Sequence, residues 1–305
     1  MSSSNETARS IAEAAALIEQ TEGERLLYHS APDIRERRLG LVIVKPCLEV
    51  PNANNSPQNI ISIAGRLAMV GWEAAALKVA NGANVEESRV AEHYDRQFYD
   101  SKTPDVRPYL DDAERTRVRQ LWGTAADTLP IYHAMQLTAA GRMSYKQIAA
   151  VWHKGRGENN ELLDVGVPFG INTITDQATD TYGKRRLLLS SDKDGEFFIL
   201  NGFTAEMMLK FTNPDEKIVS MVFAQDPDGT DLSYVRTHVV GATVPSKAKP
   251  GSIRHDALYA GSYTGPYPIM SLEKVGVENN IIHMSDSQTA AQREIVLWVP
   301  ELSVV

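Results

Sequence analysis

NNIIHMSDSQTAAQREIVLW, residues 279–298, joins an apolar pair, a histidine, a Ser-Asp pair and a run of helical periodicity from Thr289 to Trp298. Its chemistry centres on His283, because a neutral imidazole nitrogen is a nucleophile near neutral pH and can accept a transferred phosphoryl group. Ser285 can donate a hydrogen bond. Asp286 stands near the start of the following helix, where a short acidic side chain caps backbone donors. Glu294, two turns into that helix, can orient an imidazole N–H once the chain folds. The plainer readings are a structural histidine, a capping Asp286 and a Glu294 that only solvates the last helix, with Asn280 and Ser285 closing backbone donors.

Working outward, KPGSIRHD at 249–256 supplies Arg254, which pairs either with a ligand anion or with Asp256. KIVSMVFAQD at 217–226 reads as a strand, AEMMLKF at 205–211 as a helix, and DKDGEFFILNGF at 192–203 as a turn leading into an apolar strand. Near the N-terminus, LGLVIVKP at 39–46 is a strand whose end is marked by Lys45 and Pro46. The turn-rich PNANNSP follows, then a helix carrying Ile60, Ile61, Ala64, Leu67 and Ala68, and a second strand around AAALKVA. A helix through EESRVAEHYDRQFYD places Val90, Tyr94 and Phe98 at one-turn intervals. Residues 111–150 are expected to be mainly helical, with Leu129, Tyr132, Met135 and Leu137 on one such helix. Thr7–Ile18 forms an accessory helix with Ile11, Ala15 and Ile18 on its apolar side. The recurring β-α-β order indicates one α/β core with added material.

Composition narrows the function classes. With 43% apolar residues over 305 positions the chain suits one large or two modest globular domains. The 31 Lys and Arg against 39 Asp and Glu, a formal charge of -8, disfavour nucleic acid and anionic membranes as partners, while leaving room for a local basic pocket. No run approaches the roughly 20 apolar residues of a membrane span. The acidic N-terminus does not read as a secretory signal, so a cytoplasmic protein is expected. Cys47, the single cysteine, has no partner for a disulfide or a Cys-X-X-Cys site, and reads as a buried thiol. Neither a G-X-X-X-X-G-K-Ser/Thr loop nor a His-Glu-X-X-His helix occurs, and the histidines form no metal cluster in the sequence.

The combined pattern resembles the nucleoside diphosphate kinase family. Asn280, His283, Ser285, Asp286 and Glu294 match its C-terminal signature, with Met284 where a glycine or alanine is usual. LGLVIVKP resembles the opening strand, with Lys45 as the phosphate-facing lysine and Cys47 in place of the usual acidic follower. Tyr94 corresponds to the tyrosine near the catalytic histidine, Thr243 in VGATVP to a phosphate-contacting threonine, and Arg254 in PGSIR to the nucleotide-binding arginine. Arg236 is a looser match, its spacing from GAT differing by one residue from the commonest pattern.

The resemblance spans about residues 37 to 110 and 195 to 300. It implies an α/β fold, a ferredoxin-like antiparallel-sheet core with a mostly helical insertion. The implied layout is an N-terminal extension at 1–36, a discontinuous domain at 37–110 and 187–305, and an inserted helical and loop lobe at 111–186. It further implies reversible transfer of a terminal phosphoryl group from ATP or another nucleoside triphosphate to a nucleoside diphosphate through phosphohistidine. Mg²⁺ would bridge phosphate oxygens without a dedicated protein cage. In that scheme His283, Glu294 and Ser285 are catalytic, and Lys45, Tyr94, Arg236, Thr243, Arg254 and Asn280 bind nucleotide. A homo-oligomer is also implied. The alternatives are a noncatalytic nucleotide-binding or regulatory protein on the same core, and an unrelated structural interaction protein.

Overall fold

The computed structural model describes residues 2–30, 36–47, 50–94, 112, 116, 119, 128–154, 187–192, 195–200, 202–270, 275 and 280–302. The chain divides into two compact units, residues 1–86 with 210–305 and residues 87–209. In chain order, the first stretch contains α1 (Ser2–Ala16), β1 (Glu24–His29), β2 (Arg38–Val44), α2 (Pro57–Ala68) and β3 (Glu73–Asn81). Next come α3 (Glu87–His93), β4 (Ile131–His133), α4 (Ala134–Ala139), α5 (Tyr145–Lys154), β5 (Leu187–Asp192), β6 (Gly195–Leu200) and α6 (Phe203–Phe211). The last stretch holds β7 (Lys217–Gln225), a helical turn (Leu232–Tyr234), a π-helix (Val235–Val240), α7 (Ile253–Leu258), β8 (Ile282–Met284) and α8 (Gln288–Trp298).

The first unit is built on a five-stranded sheet in the order β1-β3-β7-β2-β8, antiparallel at every pairing. Without β1, the remaining strands follow the order second, third, first, fourth, which is the ferredoxin-like arrangement. β2 is central, so its side chains are buried on both faces and its sequence shows no polar alternation. Val42 and Val44 join the core formed with Ile11, Ile60, Ile63 and Leu67, while Leu41 and Ile43 are fully buried on the opposite face. α8 packs against β2. The register pairs Ile43 with His283 and Val42 with Met284. Paired residues share a face, so His283 stands with Ile43 and Met284 turns into the α1–α2 core. A β-carbon added to Gly40 would lie 3.3 Å from the Met284 methyl, so the larger residue packs where Gly40 leaves space.

β1 was not expected from the sequence. Its residues, ERLLYH, are mostly exposed or half-buried and lack alternation, and it is defined by antiparallel pairing with β3. Lys78 of β3, itself buried, is paired with Glu24 at 2.7 Å and Glu301 at 2.8 Å.

In the second unit, β5 and β6 form a hairpin and β4 runs parallel to β6. Leu129–Leu137 is therefore not one helix: β-branched and aromatic Ile131 and Tyr132 pair with Phe198 and Ile199, and the helix starts only at Ala134. His133 begins it, with Nδ1 accepting from the Met135 N–H at 3.3 Å and Gln136 reaching back to the His133 N–H at 2.8 Å. The expected helical positions around Phe98, Ala113, Val118, Leu121 and Trp122, and most of the excursion at 152–186, lie outside the described residues.

Candidate active site

The backbone leading into β8 carries an unusual conformation. Ile281 has φ 69°, a left-handed value that a β-branched residue rarely adopts. It is held by the Lys45 N–H, which donates to the Ile281 carbonyl at 2.7 Å, and by the Ile282 N–H, which reaches the Asn280 carbonyl at 2.8 Å. Lys45 thus lies at the end of β2 as the strand-ending Lys-Pro pair indicates, and its side chain is buried.

His283 lies in β8 with a half-buried ring. Its Nε2 is 3.1 Å from Oε2 of Glu294, which projects from α8 and is buried. Ser285 Oγ donates to the same carboxylate oxygen at 2.6 Å and accepts from the Leu41 N–H at 3.1 Å. An ionised carboxylate only accepts hydrogen bonds, so the neutral ring carries its proton on Nε2 and its lone pair on Nδ1. Asp286 does not cap α8. Ser287 does, accepting from the Ala290 N–H at 3.1 Å, whereas Asp286 is paired with Arg236 at 2.5 Å.

A cavity of about 320 Å³ is lined by Ser233, Arg236, Thr237, Gly241, Ala242, Thr243, Lys247, Lys249 and Arg254. Arg254 is buried, and its guanidinium donates to the Gly241 carbonyl at 2.9 Å and to the Ile282 carbonyl at 2.7 Å, beside His283 in the chain. Asp256 is turned away from it into a buried ion pair with Arg66 at 2.5 Å. Asn280 is fully buried, with its amide donating to the Thr243 carbonyl at 3.0 Å and its Oδ1 given no hydrogen-bond donor among the described residues. Between Arg236 and Thr243 the chain forms the π-helix, whose wider turn takes up one residue relative to an α-helix and closes with the Gly241 N–H on the Arg236 carbonyl at 2.9 Å. Gly241 itself has φ 92°, and a β-carbon there would lie 2.4 Å from Ser252 Oγ.

The structure therefore gathers His283, Ser285 and Glu294 at one point, and Arg236, Thr243 and Arg254 around one cavity, with Asn280 bonded to Thr243. Tyr94 belongs to the second unit, at the end of α3, buried and edge-on to His93 at 4.5 Å between ring centroids. Sequence reading missed Ser233, Thr237, Lys247 and Lys249 as lining residues. Lys249 is the first residue of the KPGSIR motif already singled out, and a lysine beside a nucleotide-like motif was the available signal.

The described site of this α/β protein thus combines a ferredoxin-like sheet, a carboxylate-held histidine on one of its strands and a pocket lined by Arg236, Lys247, Lys249 and Arg254. Residues 215–304 of the chain match the family model described as Nucleoside diphosphate kinase. The enzymes called nucleoside diphosphate kinase from Staphylococcus aureus strains JH9 and Newman are each 41% identical to it over 80 residues, 26% of this chain and 43% of theirs. The chain thus spans less than half the length of these curated relatives. Among solved structures, the apo nucleoside diphosphate kinase of Encephalitozoon cuniculi aligns with TM-score 0.38 and 16% identity, covering 86% of this chain and 88% of that one. A nucleoside diphosphate kinase family protein from Babesia bovis gives 0.36 and 14%, covering 87% and 90%. Neither alignment carries the fold assignment, which rests on strand order and register.

Proposed function

We propose that this protein transfers the terminal phosphoryl group of a nucleoside triphosphate to a nucleoside diphosphate through a phosphohistidine at His283. The observation that supports this most directly is the bond between His283 Nε2 and Glu294 Oε2, 3.1 Å long, which leaves the nucleophilic lone pair on Nδ1. Nδ1 attacks the γ-phosphorus, an N–P bond forms, and the β–γ bridging P–O bond breaks, its electrons leaving with the nucleoside diphosphate. A second nucleoside diphosphate then attacks the phosphohistidine with a β-phosphate oxygen, and the N–P electrons return to Nδ1. Glu294 stabilises the positive charge that develops on the ring, and Ser285 holds Glu294 in place.

In this reading Arg254 and Arg236 stabilise phosphate charge, and Thr243 and Asn280 direct hydrogen bonds to the nucleotide. Lys45 faces the transferring phosphate. The lining of the cavity offers cations and hydroxyls and contains no carboxylate among the described residues, which suits Mg²⁺ carried on the nucleotide's own phosphates. When bound, the ion supplies charge neutralisation to those oxygens. The protein acts as a homo-oligomer in the cytoplasm. Among the described residues, no helix is long and apolar enough to cross a membrane.

The deciding experiment incubates the purified chain with terminal-phosphate-labelled ATP and Mg²⁺, removes nucleotide, and adds nucleoside diphosphates. Acid-labile label on His283 that is then passed to nucleoside diphosphate supports the proposal. Nucleotide binding without label overturns it in favour of a noncatalytic nucleotide-binding protein.

A further inference from the structure

The cations around the cavity differ in how they are already engaged. Arg236 is matched by Asp286 at 2.5 Å, and Arg254 is clamped by two backbone carbonyls. Lys247 and Lys249 line the same cavity, and among the described residues neither is paired with a carboxylate. Lys249 is nevertheless held, because its Nζ lies 2.8 Å from Nε2 of His238. An ammonium group only donates, so His238 Nε2 is the acceptor and the ring proton sits on Nδ1. Nδ1 in turn reaches the Tyr234 carbonyl at 3.1 Å, and the ring stacks on Tyr234 with centroids 4.3 Å apart and planes 15° from parallel. His238 is therefore fixed on two sides before it meets the lysine.

This arrangement has a specific electrostatic consequence. A carboxylate partner would fix Lys249 and cancel its charge; a neutral imidazole fixes it and leaves the positive charge available. A lysine's four-carbon stem normally loses rotamer freedom when it binds an anion, and holding it beforehand removes part of that cost. Arg236 and His238 both lie in the π-helix, so the same local widening carries both the pocket arginine and the residue that holds Lys249.

We infer that Lys249 is a further phosphate-binding residue of this pocket and that His238 positions it. The inference deepens the nucleotide reading above and rests on it. Titration calorimetry of the full chain with inorganic pyrophosphate and with ADP tests it. Lys249→Met weakens pyrophosphate binding by about tenfold, the value of one charge-assisted hydrogen bond. His238→Phe retains an aromatic ring against Tyr234 but loses the acceptor, and weakens binding by about threefold through lost pre-organisation. His238→Gln, which keeps an acceptor, restores most of that loss.

In the Lys249→Met background, His238→Phe has no further effect, because its action runs through the lysine. Unchanged pyrophosphate binding in Lys249→Met overturns the inference, as does a full additional loss in the double variant. Labelling of His283 is scored separately. Weaker pyrophosphate binding in Lys249→Met supports this inference even if His283 is never labelled, and labelled His283 with unchanged pyrophosphate binding overturns this inference alone.

Discussion

Glu294 Oε2 lies 3.1 Å from His283 Nε2, joining a strand residue to a residue two turns along the next helix. Replacing Glu294 with Gln keeps the shape of the side chain and removes its charge. The rate at which labelled ATP marks His283 should fall by about 10²-fold, at the lower end of what positioned acid–base partners contribute. Rapid-quench measurement under single-turnover conditions reads this directly, and ADP affinity in the same variant reports whether the pocket is intact.

Ser285 acts on both sides of its hydroxyl, donating to Glu294 and accepting from the Leu41 N–H inside the sheet. Ser285→Ala leaves that buried N–H unsatisfied and is expected to cost about 1–3 kcal/mol. Denaturant unfolding should show the loss, accompanied by a slower phosphorylation of His283.

Asp256 and Arg66 form an ion pair in which both side chains are almost completely enclosed, with the Arg66 guanidinium also lying 3.7 Å from the Tyr263 ring centroid and bonded to the Tyr267 carbonyl at 2.7 Å. Removing only the carboxylate strands a buried cation, so Asp256→Ala should destabilise the protein by about 3–5 kcal/mol. Replacing both residues with apolar ones of similar volume should recover much of this, a comparison that equilibrium unfolding can make.

Gly241→Ala combines a left-handed backbone with a β-carbon 2.4 Å from Ser252 Oγ. The backbone conformation alone costs about 1–3 kcal/mol. Because the Gly241 carbonyl receives the Arg254 guanidinium, ADP binding should weaken more than the change in melting temperature would suggest. Calorimetric titration beside a thermal melt distinguishes the two effects.

Asp231 begins the helical turn that leads to Arg236. Its carboxyl is held below the usual aspartate value of 3.8, first by the Tyr234 N–H and then by the Ser233 hydroxyl. A lowered folded-state pKa means that its stabilising effect is present above the ordinary value and disappears as pH falls through the lowered one. Asp231→Asn keeps a capping oxygen without a titrating group, so its stability curve should be flatter than wild type in that acid range. Melting temperatures measured between pH 5 and pH 2 should reveal the difference.

Much of the central architecture was legible in the sequence. The uninterrupted apolar run of β2, the helix at Pro57–Ala68 and the strands β3 and β7 each announce themselves through side-chain periodicity, which is a local property. His283 and Glu294 were legible for a different reason, since the pattern of Asn280, His283, Ser285, Asp286 and Glu294 resembles a family signature. Ile131–His133 was less readable because its strand character comes from pairing with β6, more than sixty residues away in the chain. β1 escaped detection because an edge strand with one weakly buried face has no strong alternation, and its partner β3 defines it.

By itself, the sequence determined the order of the core elements, because periodicity acts within a few turns of chain, and it singled out His283 and Glu294 as candidates through a pattern that resembles a family signature. Tertiary structure alone decided that Met284 packs over Gly40, that Asp256 joins Arg66 instead of Arg254, and that His238 holds Lys249. These outcomes depend on strand register, on the width of a π-helical turn and on which buried charges meet, and none of those is encoded in the spacing of neighbouring residues.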